Sequence, residues 1–575
     1  MKKSRNFIAV ILSVLLILCC CPVSLAADSP LKVLIATDIH VKSTELIGDL
    51  SQTDGYSETD PYFDATIQGQ MSNVSEGINR RFFNEFLESD EEILLIAGDL
   101  TSSAKPVDHS CVRDMMQQTL DEAQSRGLNK KIYVINGNHD IDDDEGKFTT
   151  ADEFKQCYSA FGYSDAVAVD ESSCSYAADL NENYRLIAVD TCIYGEDNGE
   201  ITSSDMEWIK AQISSAKADG KYPVVMCHHS VVKHFNVQST VKCSGGAGKA
   251  LADMGVRYVF TGHIHANDIS ALTTKKGNRI YDIMTGSLIT SPCSYRAVSF
   301  SEQSVDIEMR YLDGLDENYL PYGISDVQRE LVVNNFNEYK EGFLSAGIQY
   351  WVAKNLCSPA FVARKLKIQT GTPAYEAADY LMTECVGAAL TVPLYENENT
   401  PGKNDSFEEL AASCGYTLPE SDYEYVNEAI ADVVATFFAG DENIKYTDKE
   451  IQIVLSVLST GLTYAVVKLL TGGERSDKAQ ALFNVIGVCT DKISGTFAEK
   501  ILIGRNAADI IIGAAVIPVL EGITNDEYAP SDLNVSLEGT AAELSSLENE
   551  APSGLFALII SYFRSFIRIL TELIK

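Results

Sequence analysis

Histidine is distributed unevenly along this chain of 575 residues. None of its eight histidines lies beyond His265. Imidazole changes charge near neutral pH and is the commonest protein metal ligand, so we predict that any such chemistry is confined to the N-terminal half. The histidines are His40, His109, His139, His228, His229, His234, His263 and His265.

Five apolar segments that have the character of β-strands are each followed at once by a polar group. Ligand sites of α/β proteins collect at the carboxyl ends of parallel strands, so we expect these groups to meet. A single histidine at a strand end is usually structural, but five such groups are hard to explain as turns. The groups occupy residues 38–40, 98–99, 137–140, 228–229 and 262–265.

The donor atoms in these groups suit divalent metal ions. Imidazole nitrogens mixed with carboxylate oxygens favour Zn, Mn, Fe or Co over Mg or Ca. Asp99 has two carboxylate oxygens and can bridge two ions about 3.5–4 Å apart, while Asn138 offers a neutral amide oxygen. A water molecule shared by two such ions would lose a proton more readily and act as a hydroxide nucleophile.

The motifs D-x-H, GD, GNHD, a strand-end histidine and GH-x-H, in this order, resemble those of the calcineurin-like metallophosphoesterases. The resemblance covers about residues 31–311. It implies a four-layer α/β/β/α sandwich with two divalent metal ions (Mn, Fe or Zn) between its loops. It also implies one ion bound by Asp38, His40, Asp99 and His265, and a second bound by Asp99, Asn138, His228 and His263.

The resemblance further assigns catalytic roles to His139 and Asp140. In this family the histidine of GNHD is not a ligand but faces the substrate, where it protonates the leaving oxygen or stabilises the phosphoryl charge. The following aspartate orients it. A hydrogen bond from the His139 ring to the Asp140 carboxylate would keep the imidazole protonated more readily.

Three other histidines leave alternatives open. His228 and His229 compete for one ligand position, and the apolar strand that leads directly into His228 favours that residue. His234, six residues further on, is a candidate for phosphate contact beside Asn138, or else a structural or solvated histidine. His109 is interpreted as structural.

Two departures from neighbouring families narrow the function. Purple acid phosphatases have a tyrosine three residues after the aspartate of GD, where this chain has Ser102. Nucleotidases of the superfamily have an α/β C-terminal domain, whereas the second half here has helical spacing. We therefore expect a phosphatase or phosphodiesterase that hydrolyses mono- or diesters by a metal-bound hydroxide. The alternative is a catalytically silent surface scaffold or binding protein on the same fold.

The apolar pattern predicts a sequence of domains. Strands and helices alternate over residues 31–318 and predict an α/β domain, whereas residues 319–523 have the spacing of an all-α domain. The apolar stretch 451–470 could span a membrane, but a core helix is favoured. Residues 524–553 are acidic, contain no Lys or Arg, and are interpreted as a linker.

Both ends of the chain carry targeting features. Residues 1–26 combine a basic start, an apolar run and small residues before the cleavage position, which predicts a signal peptide and an exported protein. Residues 554–575 predict an amphipathic helix with a net positive charge, which we expect to contact an anionic membrane surface and hold the enzyme at the cell surface. The alternatives are a terminal helix docked on the helical domain and a helix that binds a partner.

The net charge of −37 argues against nucleic acid as a partner, because two polyanions repel one another. Outside the signal, eleven cysteines remain, with no CxxC pair. This pattern is neither a dense disulfide framework nor a zinc finger, although one or two disulfides would fit.

Overall fold

The computed structural model describes residues 30–47, 68–142, 147–235, 238–301 and 304–352, followed by shorter stretches of the C-terminal half. The longest of these are 392–396, 406–440, 447–471 and 532–538. The predicted signal peptide, most of the predicted linker and the predicted C-terminal amphipathic helix lie outside the described residues.

The first sheet has six strands in the order β13-β12-β11-β1-β2-β3. Strands β1, β2 and β3 are parallel to one another and almost continuously apolar, as expected for strands that are covered on both faces. The strands are β1 (Leu31–Ala36), β2 (Ile93–Ala97), β3 (Lys131–Ile135), β11 (Ser294–Phe300), β12 (Ser304–Tyr311) and β13 (Asn534–Glu538).

The second sheet has seven strands in the order β4-β5-β6-β7-β8-β10-β9. Its central strands β6, β7 and β8 are parallel. The strands are β4 (Ala166–Val169), β5 (Tyr176–Asp179), β6 (Tyr184–Val189), β7 (Tyr222–Cys227), β8 (Tyr258–Thr261), β9 (Asp268–Thr273) and β10 (Arg279–Met284).

The two sheets pack face to face, with β2 against β7 and β3 against β6. Helices α2 and α3 join the core of the first sheet, and α5 and α6 cover the second. The predicted α/β/β/α sandwich is therefore confirmed. The helices are α1 (Thr44–Ile47), α2 (Ser75–Glu88), α3 (Pro106–Ser125), α4 (Ala151–Cys157), α5 (Ser203–Ala218) and α6 (Ala247–Met254).

The described part of the C-terminal half contains five helices. The apolar stripe of Val332, Phe336 and Tyr339 is buried and joins the core of the sandwich. The longest helix contains the apolar stretch 451–470 and packs in a helical core through Ile453 and Val457. The helices are α7 (Asp326–Asn334), α8 (Phe336–Trp351), α9 (Phe407–Cys414), α10 (Val426–Ala439) and α11 (Lys449–Thr471). Among the described residues, no helix combines the length and apolar character needed to cross a membrane.

The predicted linker over 524–553 is wrong for the part that the structure describes. Residues 534–538 form β13, which pairs antiparallel with β12. The hairpin of β11 and β12 consequently lies inside the sheet, since β11 pairs with β1 and β12 pairs with β13. The acidic composition of this segment favoured a linker. The strand could not be recognised locally, because its pairing partner lies more than 200 residues earlier in the chain.

Candidate active site

The sandwich brings the polar strand-end groups together at one edge. Strands β1, β2 and β3 deliver Asp38, His40, Asp99 and Asn138 from the first sheet, and β7 and β8 deliver His228, His263 and His265 from the second. The carboxyl ends of the parallel strands in both sheets thus face a common site, as expected for a ligand site in an α/β protein.

One group of donors converges around the imidazole of His40. The Nε2 atoms of His40 and His265 lie 3.1 Å apart. Asp38 Oδ1 is 3.6 Å from His40 Nε2 and 3.3 Å from His265 Nε2. Asp99 Oδ2 lies 3.6 Å from His40 Nε2 and completes the group.

A second group converges around Asn138. Its Oδ1 lies 3.1 Å from His228 Nε2 and 3.0 Å from His263 Nδ1. Asp99 Oδ2 is 3.2 Å from His228 Nε2. A single oxygen of Asp99 therefore adjoins both groups.

This donor set fits divalent cations. Asp38 Oδ1 is buried without a hydrogen-bond partner, which is costly unless a cation satisfies it. The distances alone group Asp38 with His40 and His265, and Asp38 and Asp99 with His228. Two carboxylates surrounded by imidazole nitrogens are typical ligands of Zn, Mn or Fe.

The electrostatics of the site keep Asp99, His40 and His263 in metal-binding forms, whereas His228 must lose a proton before it can bind an ion. Although burial raises it, the pKa of Asp99 lies well below the usual value because His228 and His139 are close. Burial lowers the pKa of His40, and burial together with His228 lowers that of His263 to about 4. Burial opposes a proton on His228 as well, but Asp99 and Asp38 raise its pKa to about 10.

Backbone strain is concentrated at the ligands. Seven described residues other than glycine have positive φ, and five of them are candidate ligands. Left-handed backbone is unfavourable for residues with a Cβ, and such strain persists where the surrounding structure enforces it, often at functional sites. The five are Asp38 (φ 49°), His40 (39°), Asp99 (50°), His263 (74°) and His265 (64°).

Three motif glycines make room for ligands from neighbouring turns. A Cβ on Gly98 would lie 2.6 Å from the His228 ring. On Gly137 it would lie 2.1 Å from Asp99 Oδ1, and on Gly262 it would lie 2.4 Å from Asp38 Oδ2. Any side chain at these positions would displace a ligand, which explains the glycines of GD, GNHD and GH-x-H.

Hydrogen bonds aim each ligand atom at the site. Thr37 Oγ1 and the backbone N–H of His263 donate to Asp38 Oδ2, which leaves Oδ1 for the site. The backbone N–H of His139 donates to Asp99 Oδ1 and leaves Oδ2. His228 Nδ1 lies 2.9 Å from the Ala97 carbonyl oxygen, so Nε2 is the ligand atom. Thr37 was missed by the sequence reasoning, since a threonine beside an aspartate carries no distinctive signal.

His139 lies beside the ligands with its side chain exposed. Its ring centroid is 5.2 Å from that of His40, in an edge-on arrangement. An exposed imidazole beside the ligands can reach a bound substrate, and the catalytic role of His139 stays a prediction.

Asp140 differs from its predicted role. Its carboxylate is buried and accepts hydrogen bonds from the backbone N–H groups of Leu100, Thr101 and Gly137, at 2.8–3.0 Å. No hydrogen bond joins it to the His139 ring in the described structure. The turn directs the carboxylate inwards, so Asp140 fixes the GNHD turn to the GD turn. Burial and the charge of Asp99 raise its pKa to about 7.

The structure distinguishes the two adjacent histidines. His228 faces Asp99 and Asn138, whereas His229 Nδ1 lies 2.9 Å from Thr191 Oγ1. Burial, together with His228 and His263, lowers the pKa of His229 well below its usual value. His229 is therefore a neutral packing residue behind the ligands.

His234 lies away from the predicted phosphate contact. Its side chain is fully buried between two carboxylates, with Nδ1 3.4 Å from Asp268 and Nε2 3.3 Å from Asp282. A side chain without accessible surface cannot contact a substrate, so the prediction for His234 is wrong in this structure. His109 is structural, since its ring nitrogens lie 2.8 Å from Tyr158 Oη and 2.9 Å from the Asp140 carbonyl.

Comparison with known proteins agrees with this geometry. Residues 31–267 match the sequence model of the calcineurin-like phosphoesterases. A probable cyclic nucleotide phosphodiesterase of Psychrobacter arcticus is 24% identical over 205 residues, which are 36% of this chain and 61% of that protein. A cAMP/cGMP dual specificity phosphodiesterase of Mycobacterium tuberculosis is 22% identical over 233 residues, 40% of this chain and 61% of that protein. The match thus spans about three fifths of each curated relative.

Solved structures include a dimetal phosphatase from Danio rerio, with 12% identity and a TM-score of 0.35. The alignment covers 49% of this chain and 97% of the dimetal phosphatase chain. A purple acid phosphatase from yellow lupin has 13% identity and a TM-score of 0.33, covering 49% of this chain and 52% of that chain. The sequence match to the calcineurin-like phosphoesterases is thus confined to residues 31–267, which include all of the candidate metal ligands.

Proposed function

We propose that this protein hydrolyses phosphate esters with two divalent metal ions. The observation that carries the proposal is the position of Asp99 Oδ2, which lies 3.6 Å from His40 Nε2 and 3.2 Å from His228 Nε2. One carboxylate oxygen shared by two sets of donors is the arrangement that a two-metal site needs.

The residues divide between the two ions according to their contacts. Asp38, His40 and His265 would hold one ion with Asp99, and Asn138, His228 and His263 would hold the other with Asp99. When bound, the ions would lower the pKa of a shared water and neutralise charge on the phosphoryl oxygens.

His139 is the proposed general acid. Its side chain is exposed beside His40. Its backbone N–H donates to Asp99 Oδ1, so the backbone that carries the ring is held next to the metal site. It would hold a proton at an imidazole nitrogen for the departing ester oxygen. Asp140 supports this role by holding the turn, through the backbone of residues 100, 101 and 137.

The two curated relatives are named for cyclic nucleotides, which are phosphodiesters, so a diester substrate has to be tested beside a monoester. Export and attachment to the cell surface are also proposed; they rest on the basic and apolar start of the chain and on the cationic, amphipathic pattern of residues 554–575.

The test starts from metal-free full-length protein. Mn²⁺, Zn²⁺ or Fe²⁺ is added back, and hydrolysis of p-nitrophenyl phosphate, bis-p-nitrophenyl phosphate and cAMP is measured. We expect two ions per chain and metal-dependent release of product from at least one ester. Two bound ions without hydrolysis of any ester would favour the silent binding protein, and fewer than one bound ion would contradict the metal site itself.

A further inference from the structure

The segment that follows the ligand His265 is held by the C-terminal half of the chain. Asn267 lies two residues after His265, and both its backbone N–H and its side-chain Nδ2 donate to the carbonyl oxygen of Phe438, at 3.2 and 3.0 Å. Phe438 is in the last turn of α10, whose terminal carbonyls lack partners within the helix. Asn267 supplies two donors to one of these carbonyls.

Gly440 makes this contact close. It follows α10 with φ +78°, and a Cβ there would lie 2.5 Å from the Asn267 carbonyl oxygen and 2.8 Å from its Cβ. Alanine at position 440 would therefore require the end of α10 and the segment after His265 to move apart. On the same side, the rings of Phe235 and Phe437 meet edge-on with centroids 5.2 Å apart.

A second contact comes from residues just before β13. Asp532 is fully buried, and its Oδ1 accepts a hydrogen bond of 2.9 Å from the backbone N–H of Ile269. Its backbone oxygen accepts a 2.7 Å hydrogen bond from the buried Arg296. Two separate parts of the C-terminal half, the end of α10 and the segment before β13, thus hold residues 267 and 269.

The held segment is also connected to the first sheet's ligand turn. Asn267 Oδ1 accepts a hydrogen bond from the backbone N–H of Gly286, at 2.8 Å. The next residue, Ser287, donates from Oγ to the carbonyl oxygen of Asp38, at 2.8 Å. A displacement of Asn267 would therefore reach the backbone of both Asp38 and His265, the proposed ligands of the same ion.

We propose that the end of α10 and the Asp532 segment are positioning elements of the metal site, which set His265 and Asp38 for one of the two ions. Gly440, Phe438 and Asp532 act through Asn267 and Ile269 and do not touch the metal. The inference rests on the proposed two-metal function and gives the C-terminal half a role in it.

The test is titration of the metal-free full-length chain with Mn²⁺ by calorimetry, together with thermal unfolding. Gly440→Ala and Asp532→Ala should weaken one of the two Mn²⁺ binding steps by about 10–100-fold, the usual effect of losing a residue that orients a ligand, and leave the other within about twofold. A change confined to one step is not expected from general destabilisation.

Two variants serve as controls. Gly220→Ala puts the same strain at φ +73°, but no atom lies within 4 Å of its Cβ, so both binding steps should stay at wild-type affinity. Asp532→Asn keeps an oxygen for the Ile269 N–H and should restore most of the affinity that Asp532→Ala loses. If Gly440→Ala does not fold, the Asp532 pair decides.

Failure of this inference is distinguishable from failure of the function. Wild-type affinity at both steps in Gly440→Ala and Asp532→Ala, with only a lower unfolding temperature, would overturn the positioning role and leave the two-metal site intact. A wild-type chain that binds no Mn²⁺ would contradict the proposed function and this inference with it.

Discussion

Two buried clusters of this protein place imidazole beside two carboxylates, and they differ in where the nitrogens point. At the active site, the Nε2 atoms of His40 and His265 face each other at 3.1 Å, and Asp38 Oδ1 lies 3.6 Å and 3.3 Å from them. In the second cluster, His234 stands between Asp268 and Asp282 and turns one nitrogen to each.

The proton accounts for the second cluster without a metal. Burial opposes the charge on His234, but Asp268 and Asp282 raise its pKa to about 10, so a charged ring offsets the carboxylates. Asp282 is satisfied further by Thr261 Oγ1 and by the backbone N–H groups of Val231 and Val232. Converging donors indicate a cation site, whereas an imidazole that bridges two carboxylates indicates a structural ion pair.

The largest effect is expected at Asp99. Asp99→Ala should remove both metal ions and all measurable metal-dependent hydrolysis, because one oxygen adjoins both donor groups. Metal content after gel filtration and ester hydrolysis measure this. The matched change Asp282→Ala in the second cluster should keep two ions. Two ions retained in Asp99→Ala would show that the carboxylate does not bridge.

His139→Ala separates catalysis from metal binding. The variant should keep both ions and lose about 10²–10⁴-fold in kcat, the usual contribution of a general acid. Because the side chain is exposed, its unfolding midpoint should stay near that of the wild type. Loss of a metal ion in this variant would mean that His139 is a ligand and that the assignment of the acid is wrong.

His234→Ala should have the opposite pattern. It leaves two buried carboxylates without their counter-charge, and breaking such a pair costs about 3–5 kcal/mol in the free energy of unfolding. Urea denaturation measures the loss, while metal analysis should still find two ions. A stable variant that has lost hydrolysis would return His234 to the substrate site.

Metal binding should release a proton from His228 at the active site and none from His234 in the second cluster. Without metal, His228 holds a proton with a pKa of about 10, so binding through its Nε2 must release that proton. Affinity for the ion at Asn138 should fall about tenfold for each unit that the pH decreases below this value. Calorimetry in two buffers of different ionisation enthalpy counts the proton. The His234→Ala variant is the control. If it releases the same proton as the wild type, His234 is not the source of that proton. If the release disappears in this variant, the assignment of the proton to His228 is contradicted.

Much of the site was predictable because its signals are local. Each ligand directly follows an apolar strand, and parallel strands bring such positions to one edge, so Asp99 and His228 could be placed from sequence. His234 was misassigned because its partners Asp268 and Asp282 lie 34 and 48 residues further on. Asp140 was misassigned because adjacency to His139 does not determine which way the turn directs a carboxylate.

The parts of the fold that the sequence did not predict depend on long-range contacts. Strand β13 has little apolar character of its own and is stabilised by pairing with β12, far earlier in the chain. The contact between Asn267 and Phe438 joins residues 171 positions apart. Neither has a periodic pattern that could be recognised without the folded structure.

The most direct measurement is anomalous diffraction from crystals of the full-length protein grown with Mn²⁺ or Zn²⁺. We expect two peaks, one on each side of Asp99 Oδ2 and about 3.5–4 Å apart, with His40 and His265 at one and Asn138, His228 and His263 at the other. A single peak, or a peak between Asp268 and Asp282, would contradict this expectation.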